Sequence, residues 1–387
     1  MSKREITAIA SPNIALVKYW GKRDDSLILP LNSSLSITLS QKNIFTKTII
    51  KTDMDLKSDR FILNGKETKI QKSSRLHSLL TSFREKFLSG KTRYYEIISE
   101  NNFPTAAGLA SSASGYACIA YSLYKLEQDD IEKSNLFEKN DRKNLEIFSQ
   151  IARIGSGSAC RSLFGGFVAW DRGEKLDGTD SISRQVFPSA HWPDLRVMIV
   201  VVNSDPKKVP STDGMKNSVL TSKLLNFRAE SIVPKHMEKI TKAIEAKNFA
   251  KFAKIVIRES NQLHSICLDS SPPLFYLNEN SRAIISVMED LNKSTSPIVA
   301  YTFDAGPNAV LIFQKENKQK ICSTLFSNFS FSFPEDVLDD FSTFTNKPKY
   351  LSNLFMNVMK KEKELNFIKY IFFTKIGNGP EIIINKN

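Results

Sequence analysis

The sequence predicts an α+β protein whose two lobes share a cleft. Predicted strands and helices follow one another in runs, without the strict strand–helix alternation of a parallel α/β sheet. The chain has 387 residues, which exceeds the usual length of one domain and favours two lobes. Its 41% hydrophobic and 25% charged residues are typical of a globular protein with an ample core. We place the lobes at residues 1–190 and 191–387, without a flexible linker.

The first hundred residues are predicted to form mainly strands. The stretch SSLSITLS alternates polar and apolar residues, which is the pattern of a half-buried strand. A later stretch carries Asn64-Gly65, a dipeptide that favours a two-residue hairpin turn. We expect strands at 33–40, 43–52, 60–70 and 92–100, with a helix near 74–88.

The remaining chain changes character at about residue 204. Before this point we expect helices in the second half of 101–126, at 128–139 and at 143–154, then strands at 163–170, 182–187 and 195–203. Beyond it, the apolar spacing indicates amphipathic helices at 212–224, 226–246, 248–267 and 280–293. A strand, a Gly-Pro turn and a second strand are predicted at 296–313. The lysine-rich stretch 346–365 is predicted to be helical, and a strand pair is predicted to end the chain.

The formal net charge of +13 is compatible with two kinds of partner, a nucleic acid or a small polyanionic substrate. Many lysines lie in mixed-charge stretches such as KKEKELNFIK, which is the pattern of exposed helices. No zinc finger, basic zipper region or RNP-type signature is present in the sequence. We therefore favour a polyanionic substrate and expect no nucleic-acid partner.

Other features of the composition bear on the cellular compartment. The N-terminal stretch lacks the apolar region of a signal peptide, and no apolar run approaches the roughly 18 residues of a membrane span. Four cysteines are widely scattered without a CxxC pair, which favours reduced thiols over a disulfide or zinc framework. We expect a cytoplasmic protein with no membrane partner.

The strongest chemical signal is the run of small residues PTAAGLASSASG at 104–115. It follows a predicted strand and opens a predicted helix, where free backbone N–H groups and the helix dipole favour an anion. Serine hydroxyls at such a helix start can bind a phosphate oxygen or a magnesium ion. A close-packed helix start with serine caps is the alternative. The run is not a Walker loop, because no Gly-Lys-Ser/Thr follows it.

A second small-residue segment is GSGSACR at 155–161. It begins like a dinucleotide fingerprint, but Cys160 replaces the third glycine and a predicted helix precedes it, which excludes a Rossmann motif. Its backbone N–H groups, two hydroxyls and one guanidinium suit a carboxylate or a phosphate, because arginine binds either with a bidentate fork. The alternative is a helix C-cap with an exposed arginine.

A single carboxylate, Asp304, lies at the end of a predicted apolar strand. It precedes a turn that we expect to need Gly306. In this position an aspartate either caps the turn or acts as a general base in a cleft. None of the four histidines lies in a nucleophile or metal motif.

The segment SPNIALVKYWGKRD at 11–24 places Lys18 and Lys22 on either side of Tyr19-Trp20-Gly21. A core strand would not carry two cations so close to an apolar run, and a solvated face would not carry Trp20. The segment therefore fits neither a core strand nor a solvated face.

Taken together, these segments resemble a known family. The PxxxGLxSSA pattern is similar to the phosphate loop of the GHMP small-molecule kinases, which include galactokinase and the homoserine, mevalonate and phosphomevalonate kinases. Four segments resemble the mevalonate diphosphate decarboxylases more specifically: NIALVKYWGKRD at 13–24, PLNSSLSITL at 30–39, SGSACRSLFGGFVAW at 156–170 and DAGPNAV at 304–310. The resemblance extends from about residue 8 to residue 313, and the sequence past 314 is only weakly diagnostic.

The resemblance implies a GHMP fold with its active site in the cleft between the lobes. The N-terminal lobe would resemble ribosomal protein S5 domain 2, and the C-terminal lobe would be ferredoxin-like. A homodimer that uses ATP and Mg²⁺ is also implied. The implied reaction converts (R)-mevalonate 5-diphosphate and ATP into isopentenyl diphosphate, ADP, phosphate and carbon dioxide, in the mevalonate pathway of isoprenoid and sterol biosynthesis. These anions require a basic cleft.

The motifs of the family also imply roles for single residues. Asp304 takes or orients the proton of the C3 hydroxyl, Arg161 grips the carboxylate, and Lys18 bridges phosphate oxygens or supports Asp304. Ser112 directs the γ-phosphate and magnesium. The implied substrate-binding residues are Asn13, Tyr19, Trp20, Gly21, Lys22, Arg75, Ser156, Gly157, Ser158, Ala159, Cys160, Arg161 and Thr212. The implied ATP-binding residues are Pro104, Ala106, Ala107, Gly108, Leu109, Ala110, Ser111, Ser112 and Ser114.

Two alternatives remain open from the sequence. The first is a GHMP kinase that stops after phosphorylation, such as a mevalonate 3-kinase, and release of carbon dioxide separates it from a decarboxylase. The second is a non-enzymatic basic protein, which would bind nucleic acid in a salt-sensitive way and would not turn over ATP.

Overall fold

A computed structural model describes residues 3–89, 92–103, 111–132, 141–203, 207–293, 296–331 and 367–386. Its strands are β1 Arg4–Ala10, β2 Asn13–Val17, β3 Lys22–Asp24, β4 Leu29–Pro30, β5 Ser34–Thr38, β6 Thr46–Thr52, β7 Arg60–Leu63, β8 Lys66–Thr68, β9 Glu96–Asn101, β10 Phe167–Trp170, β11 Ser183–Phe187, β12 Leu195–Val201, β13 Val299–Phe303, β14 Ala309–Gln314, β15 Ser330–Phe331, β16 Phe367–Ile368, β17 Tyr370–Thr374 and β18 Glu381–Lys386. Its helices are α1 Arg75–Phe87, α2 Ser111–Leu126, α3 Gln128–Glu132, α4 Asp141–Gly155, α5 Ser211–Thr221, α6 Lys223–Phe227, α7 Val233–Glu245, α8 Phe249–Asp269, α9 Glu279–Lys293 and α10 Lys318–Asn328. The predicted α+β class is confirmed.

A six-stranded sheet dominates the first half of the chain, which we take as residues 1–190, and the rest is the second half. The strand order is β18-β1-β6-β9-β7-β8, and the edge strand β18 comes from the end of the chain. Burial alternates along β6, so one face of the sheet packs on the core. Helices α1, α2 and α4 cover that face and bury side chains such as Phe83, Ala117 and Phe148. The predicted hairpin is present between β7 and β8. Asn64 and Gly65 both have positive φ angles, 48° and 76°, as a type I′ turn requires.

A second sheet, β11-β10-β5-β2, leads from the first half toward the second. The second half contains the antiparallel sheet β13-β14-β12-β17, against which helices α8 and α9 pack, whereas α7 packs on α8 and on the strands β2 and β5. One apolar cluster joins the two halves, because Leu35 and Ile37 of β5 belong to the same buried core as Val197, Phe252 and Leu311. Burying each such side chain contributes roughly 1.5–3 kcal/mol.

The end of the chain differs from the predicted strand pair. Strands β17 and β18 belong to different sheets, since β17 pairs with β12 whereas β18 pairs with β1. Between them, Gly377 donates its N–H to Thr38 and accepts one from Gly166, so the segment is fixed across the first half. The last strand thus extends the sheet of the first half, and the lobe boundary near residue 190 stays a prediction.

Two predicted helices lie wholly or mostly outside the described residues, and a third is irregular. The helix expected at 346–365 and most of the one expected at 128–139 lie outside them. The helix expected at 226–246 contains a π-helical turn, Arg228–Ile232, before α7. Within the described part of the chain, no helix is both long enough and apolar enough to cross a membrane.

Candidate active site

A cavity of about 610 Å³ opens between the two halves of the chain. Its walls come from the end of β2, the first turn of α2, the segment after α4, the start of α5 and the turn after β13. Most of the residues singled out in the sequence converge here: Asn13, Lys18, Tyr19, Trp20, Lys22, Arg75, Ser111, Ser112, Ser156, Gly157, Ser158, Arg161, Thr212 and Asp304. Motifs that lie almost 300 residues apart therefore share one cavity.

Four of the implied ligand residues do not line this cavity: Gly21, Ala159, Cys160 and Ser114. Ser114 is fully buried, and its hydroxyl lies 2.6 Å from that of Thr46 on β6. Cys160 is also buried, and its thiol donates to the carbonyl of Gly157 at 2.9 Å. These side chains pack inward because they fall on the covered faces of their helices. Six other implied ATP-binding residues lie outside the described residues: Pro104, Ala106, Ala107, Gly108, Leu109 and Ala110.

At the centre of the cavity, the ammonium group of Lys18 lies 2.6 Å from Oδ1 of Asp304. Lys18 follows β2 in the first half, and Asp304 follows β13 in the second half. The lysine side chain is 2% exposed, whereas that of Asp304 is 39% exposed. The carboxylate therefore faces the cavity while its counter-ion is buried behind it.

The charge state of Asp304 follows from this environment. Burial raises the pKa of its carboxyl, but the cations of Lys18, Lys207 and Arg161 outweigh burial, and the net pKa lies below its usual range. Asp304 is therefore ionised near neutral pH and can accept a proton. Gly306 has no positive φ angle, so the expectation that this turn needs a glycine is wrong. A Cβ atom there would lie 3.6 Å from Cε of Lys207, which is ordinary contact.

Arg161 is 2% exposed, so the alternative of an exposed arginine is wrong. The segment around it is a short 3₁₀ helix, Gly157–Leu163, and not the irregular loop that its small residues suggested. Nε donates to Oδ1 of Asn13 at 3.2 Å, and Nη1 donates to the hydroxyl of Ser34 at 2.6 Å. The guanidinium also lies 5.6 Å from the ring centre of Trp170. These neutral partners orient the arginine without neutralising it.

A second group of cations lines the other end of the cavity. Lys22 pairs with Asp25 at 2.6 Å, and the Asp25 side chain is 61% exposed. Arg75, the first residue of α1, donates to the backbone carbonyl of Asp25 at 3.4 Å. Among the described residues, Arg75, Arg161 and Lys207 have no carboxylate within ion-pair distance. The cavity thus carries an excess of positive charge, which favours a polyanion.

The aromatic pair of the first motif is anchored to both halves of the chain. Trp20 is 2% exposed and donates from Nε1 to the hydroxyl of Ser218 on α5 at 2.9 Å. Tyr19 packs edge-on against Trp170, with ring centres 4.7 Å apart. Gly157 lets the tyrosine approach, because a Cβ atom there would lie 2.8 Å from its hydroxyl oxygen. This packing fixes the backbone between Lys18 and Lys22.

Serine hydroxyls gather where α2 begins. Ser112 is exposed to the cavity, and its hydroxyl lies 3.3 Å from that of Ser156, which lies 3.4 Å from that of Ser158. The dipole of α2 adds partial positive charge here. In the described residues no group of three or more His, Cys, Asp or Glu side chains could hold a metal ion. Oxygen ligands still suit magnesium, which usually binds one or two protein groups together with substrate phosphates.

Sequence reasoning missed several residues that line the cavity. The most important is Lys207, because it lowers the pKa of Asp304. Its ammonium group donates to the hydroxyl of Ser211 at 3.3 Å, beside the predicted ligand Thr212. The missed residues are Ala15, Ile28, Tyr116, Gly155, Lys207, Ser211, Met215, Leu263 and Ala305. The only sequence signal for Lys207 is its place in DPKKVPST, a polar stretch between a strand and a helix.

Phosphoryl transfer to a small anionic molecule is the chemistry that such a cavity supports. This chemistry and the α+β fold agree with the GHMP class that the sequence resembles, and the solved structures similar to this chain belong to that class. Residues 10–183 match the family described as "Diphosphomevalonate decarboxylase-like N-terminal domain". Residues 197–383 match "Mevalonate 5-diphosphate decarboxylase C-terminal domain". The chain belongs to the mevalonate 5-diphosphate decarboxylase family.

Individual relatives are similar over nearly the whole chain. Diphosphomevalonate decarboxylase of Rattus norvegicus is 42% identical over 98% of this chain and 93% of the rat protein. The solved structure of mevalonate diphosphate decarboxylase from Trypanosoma brucei is 36% identical, with a TM-score of 0.82 over 98% of both chains. A structure of MDDEF in complex with MVAPP, AMPPCP and magnesium is 30% identical, with a TM-score of 0.76 over 99% of both chains.

Proposed function

We propose that the protein, in this cavity, converts (R)-mevalonate 5-diphosphate and ATP into isopentenyl diphosphate, ADP, phosphate and carbon dioxide. Membership of the decarboxylase family supports this reaction. The MDDEF complex with MVAPP, AMPPCP and magnesium supports ATP as co-substrate and Mg²⁺ as its ion. The observation that carries the assignment of roles is the Lys18–Asp304 pair, which faces a cavity with an excess of positive charge.

Asp304 accepts the proton of the C3 hydroxyl. The resulting oxygen attacks the γ-phosphorus of ATP, and the bond from this phosphorus to the bridging oxygen breaks as ADP leaves. A tertiary alcohol is a poor nucleophile, so the base must be ionised and in place before transfer. The low pKa of Asp304 satisfies the first condition, and its contact with Lys18 satisfies the second. Two roles were implied for Lys18, to support Asp304 or to bridge phosphate oxygens. This contact favours the role of supporting Asp304. The phosphate then leaves C3 while the carboxylate leaves as carbon dioxide.

The remaining roles follow from the charges along the cavity. Arg161 binds the carboxylate of the substrate, because its charge has only neutral partners in the described structure. Lys22 and Arg75 hold the diphosphate together with the hydroxyls of Ser156 and Thr212. Ser112 at the start of α2 orients the γ-phosphate of ATP. Magnesium, when bound with ATP, would supply charge neutralisation on the phosphates, and we assign the hydroxyl of Ser112 as a protein ligand for it.

The reaction class is tested by measuring ADP and carbon dioxide in the same incubation with mevalonate 5-diphosphate, ATP and Mg²⁺. We expect the two products in equal amounts throughout the time course. A GHMP kinase that stops after phosphorylation would form ADP without carbon dioxide. A binding protein for nucleic acid would form neither product.

Replacing Ser112 by alanine is expected to reduce turnover by about 10²-fold, because positioning losses of this size follow small displacements of a reacting group. Ser112 is exposed to the cavity, so the free energy of unfolding should change by no more than about 0.5 kcal/mol. Steady-state ADP release and a thermal unfolding curve measure the two effects. Turnover at the wild-type rate would refute the assignment of Ser112 to the γ-phosphate.

Assembly and location are inferred from the family resemblance. We infer a homodimer that acts in the cytoplasm, with two lobes that divide near residue 190. Light scattering of the purified protein measures the assembly, and a monomer at all concentrations would contradict it.

A further inference from the structure

Helix α8 passes behind the cavity and contacts the backbone of Lys18 through Glu259. Glu259 is fully buried, and its Oε2 accepts the backbone N–H of Lys18 at 2.9 Å. The carbonyl of Lys18 is bound as well, because it accepts from Nδ2 of Asn32 at 3.0 Å and from Nη2 of Arg228 at 3.3 Å. Both backbone polar groups of Lys18 are therefore held by buried side chains.

The next residue of the same helix contacts the backbone beside Asp304. Ser260 is fully buried, and its hydroxyl accepts the N–H of Phe303 at 2.9 Å. Phe303 is the last residue of β13 and immediately precedes Asp304. Two consecutive residues of α8 thus hold the two chain segments that carry the ion pair.

The buried charge of Glu259 is balanced within the second half of the chain. Its carboxylate contacts Nη2 of Arg228 and lies 2.6 Å from Nδ1 of His236. Burial raises the pKa of Glu259, but Arg228 and His236 outweigh burial, so the pKa lies below its usual range. A buried ion pair is weak support for stability, since desolvation offsets most of its attraction. The hydrogen bond from the backbone of Lys18 gives the Glu259–Arg228 pair a more specific role.

We propose that Glu259 and Ser260 are positioning residues, which set the distance between Lys18 and Asp304 across the cavity. The inference rests on the proposed role of Asp304 as the base. Lys18 comes from the first half of the chain and Asp304 from the second, so their separation depends on a common support. One helix supplies it, because its consecutive residues keep a fixed spacing. Catalytic side chains have to be held within about 0.5 Å of the geometry in which they react.

Ser260→Ala tests the inference, because it removes the hydrogen bond to Phe303 and leaves the charges of the cluster unchanged. A misplacement of about 1 Å can cost 10²-fold, so we expect kcat to fall at least about tenfold. KM for ATP and for mevalonate diphosphate should stay within about twofold, since the phosphate-binding residues are untouched.

Ser149→Ala is a matched control on α4. Ser149 is also fully buried on a helix, and its hydroxyl accepts a strand N–H, that of Ser183, at the same distance of 2.9 Å. Ser149 does not line the cavity. Ser149→Ala also loses a bond that its hydroxyl donates to the carbonyl of Glu146 at 2.6 Å. Its unfolding midpoint should therefore fall at least as far as that of Ser260→Ala, while kcat falls only in Ser260→Ala. Equal losses of kcat would overturn the positioning role of Ser260.

Two further variants complete the test. Glu259→Asp keeps the charge beside Arg228 but shortens the reach to Lys18, and we expect a lower kcat with unchanged KM values. An unchanged kcat would overturn the role of Glu259.

The double variant Ser260→Ala/Asp304→Asn is compared with Asp304→Asn alone, and the residual rate is followed over long incubations. We expect no further loss, because Ser260 acts through Asp304. An additional loss as large as that in the wild-type background would contradict this inference.

Failure of the inference and failure of the proposed function give different results. If Asp304→Asn is inactive while Ser260→Ala behaves like Ser149→Ala, only the positioning role is overturned. If Asp304→Asn keeps wild-type turnover, the role of Asp304 fails and the positioning role fails with it.

Discussion

The Asp304→Asn variant is expected to turn over mevalonate diphosphate about 10²–10⁴-fold more slowly than the wild type, which is the usual contribution of a general base. Asparagine keeps the shape of the side chain but cannot take the proton of the C3 hydroxyl. None of the four histidines lines the cavity, so none of them replaces Asp304 as the base. Steady-state release of ADP measures the loss.

The same variant should still bind both substrates with near-normal affinity, which titration calorimetry can measure. Asp290→Asn is a suitable control, because Asp290 pairs with Lys293 at 2.6 Å on the exposed surface of α9. Its turnover should match the wild type, since exposed ion pairs contribute only about 0–1 kcal/mol. Equal turnover of the wild type and Asp304→Asn would exclude Asp304 as the base.

Replacing Arg161 by lysine should also lower activity, although the charge is kept. The guanidinium donates to Asn13 and Ser34, and its remaining N–H groups are the ones that we propose to bind the substrate carboxylate. Lysine has no planar fork and cannot make these contacts together. A lost hydrogen bond to a charged group costs about 1.5–3 kcal/mol, so kcat/KM for mevalonate diphosphate should fall roughly 10- to 150-fold.

An exposed arginine provides the control for this prediction. Arg184 donates from Nε to Asp171 at 3.1 Å, and its side chain is 48% exposed. We expect Arg184→Lys to leave kcat/KM unchanged. If Arg161→Lys matched the wild type as well, the substrate carboxylate would have to bind elsewhere in the cavity.

Much of the fold could be predicted from local patterns. Strand β6 and helix α1 lie within the predicted stretches, because alternation and amphipathic spacing report which face is buried. The turn at Asn64-Gly65 follows from a backbone preference that acts over two residues. The prediction that the last two strands pair with each other is wrong, because the pairing partner of β18 depends on the open edge of β1, far away in sequence.

The same holds for the site, where local patterns identify the motifs but do not predict the contacts between distant residues. The motifs around Lys18 and Asp304 are an example, because neither local pattern indicates that the two residues touch across 286 residues. Only the family resemblance implied this contact, as one of two roles for Lys18. Glu259 and Arg228 lie on helices that were predicted as amphipathic, and their burial depends on charge pairing that composition does not reveal. Lys207 was missed because a single lysine in a polar connection has no periodic signal.

The most direct test of the central claim is a rapid-quench time course of ADP and carbon dioxide formation by the wild type and Asp304→Asn. If Asp304 activates the C3 hydroxyl, both products slow by the same factor in the variant, because decarboxylation waits for the phosphate leaving group. ADP should also appear no later than carbon dioxide in either protein. A variant that forms ADP at the wild-type rate while carbon dioxide is delayed would contradict the account and assign Asp304 to the second step.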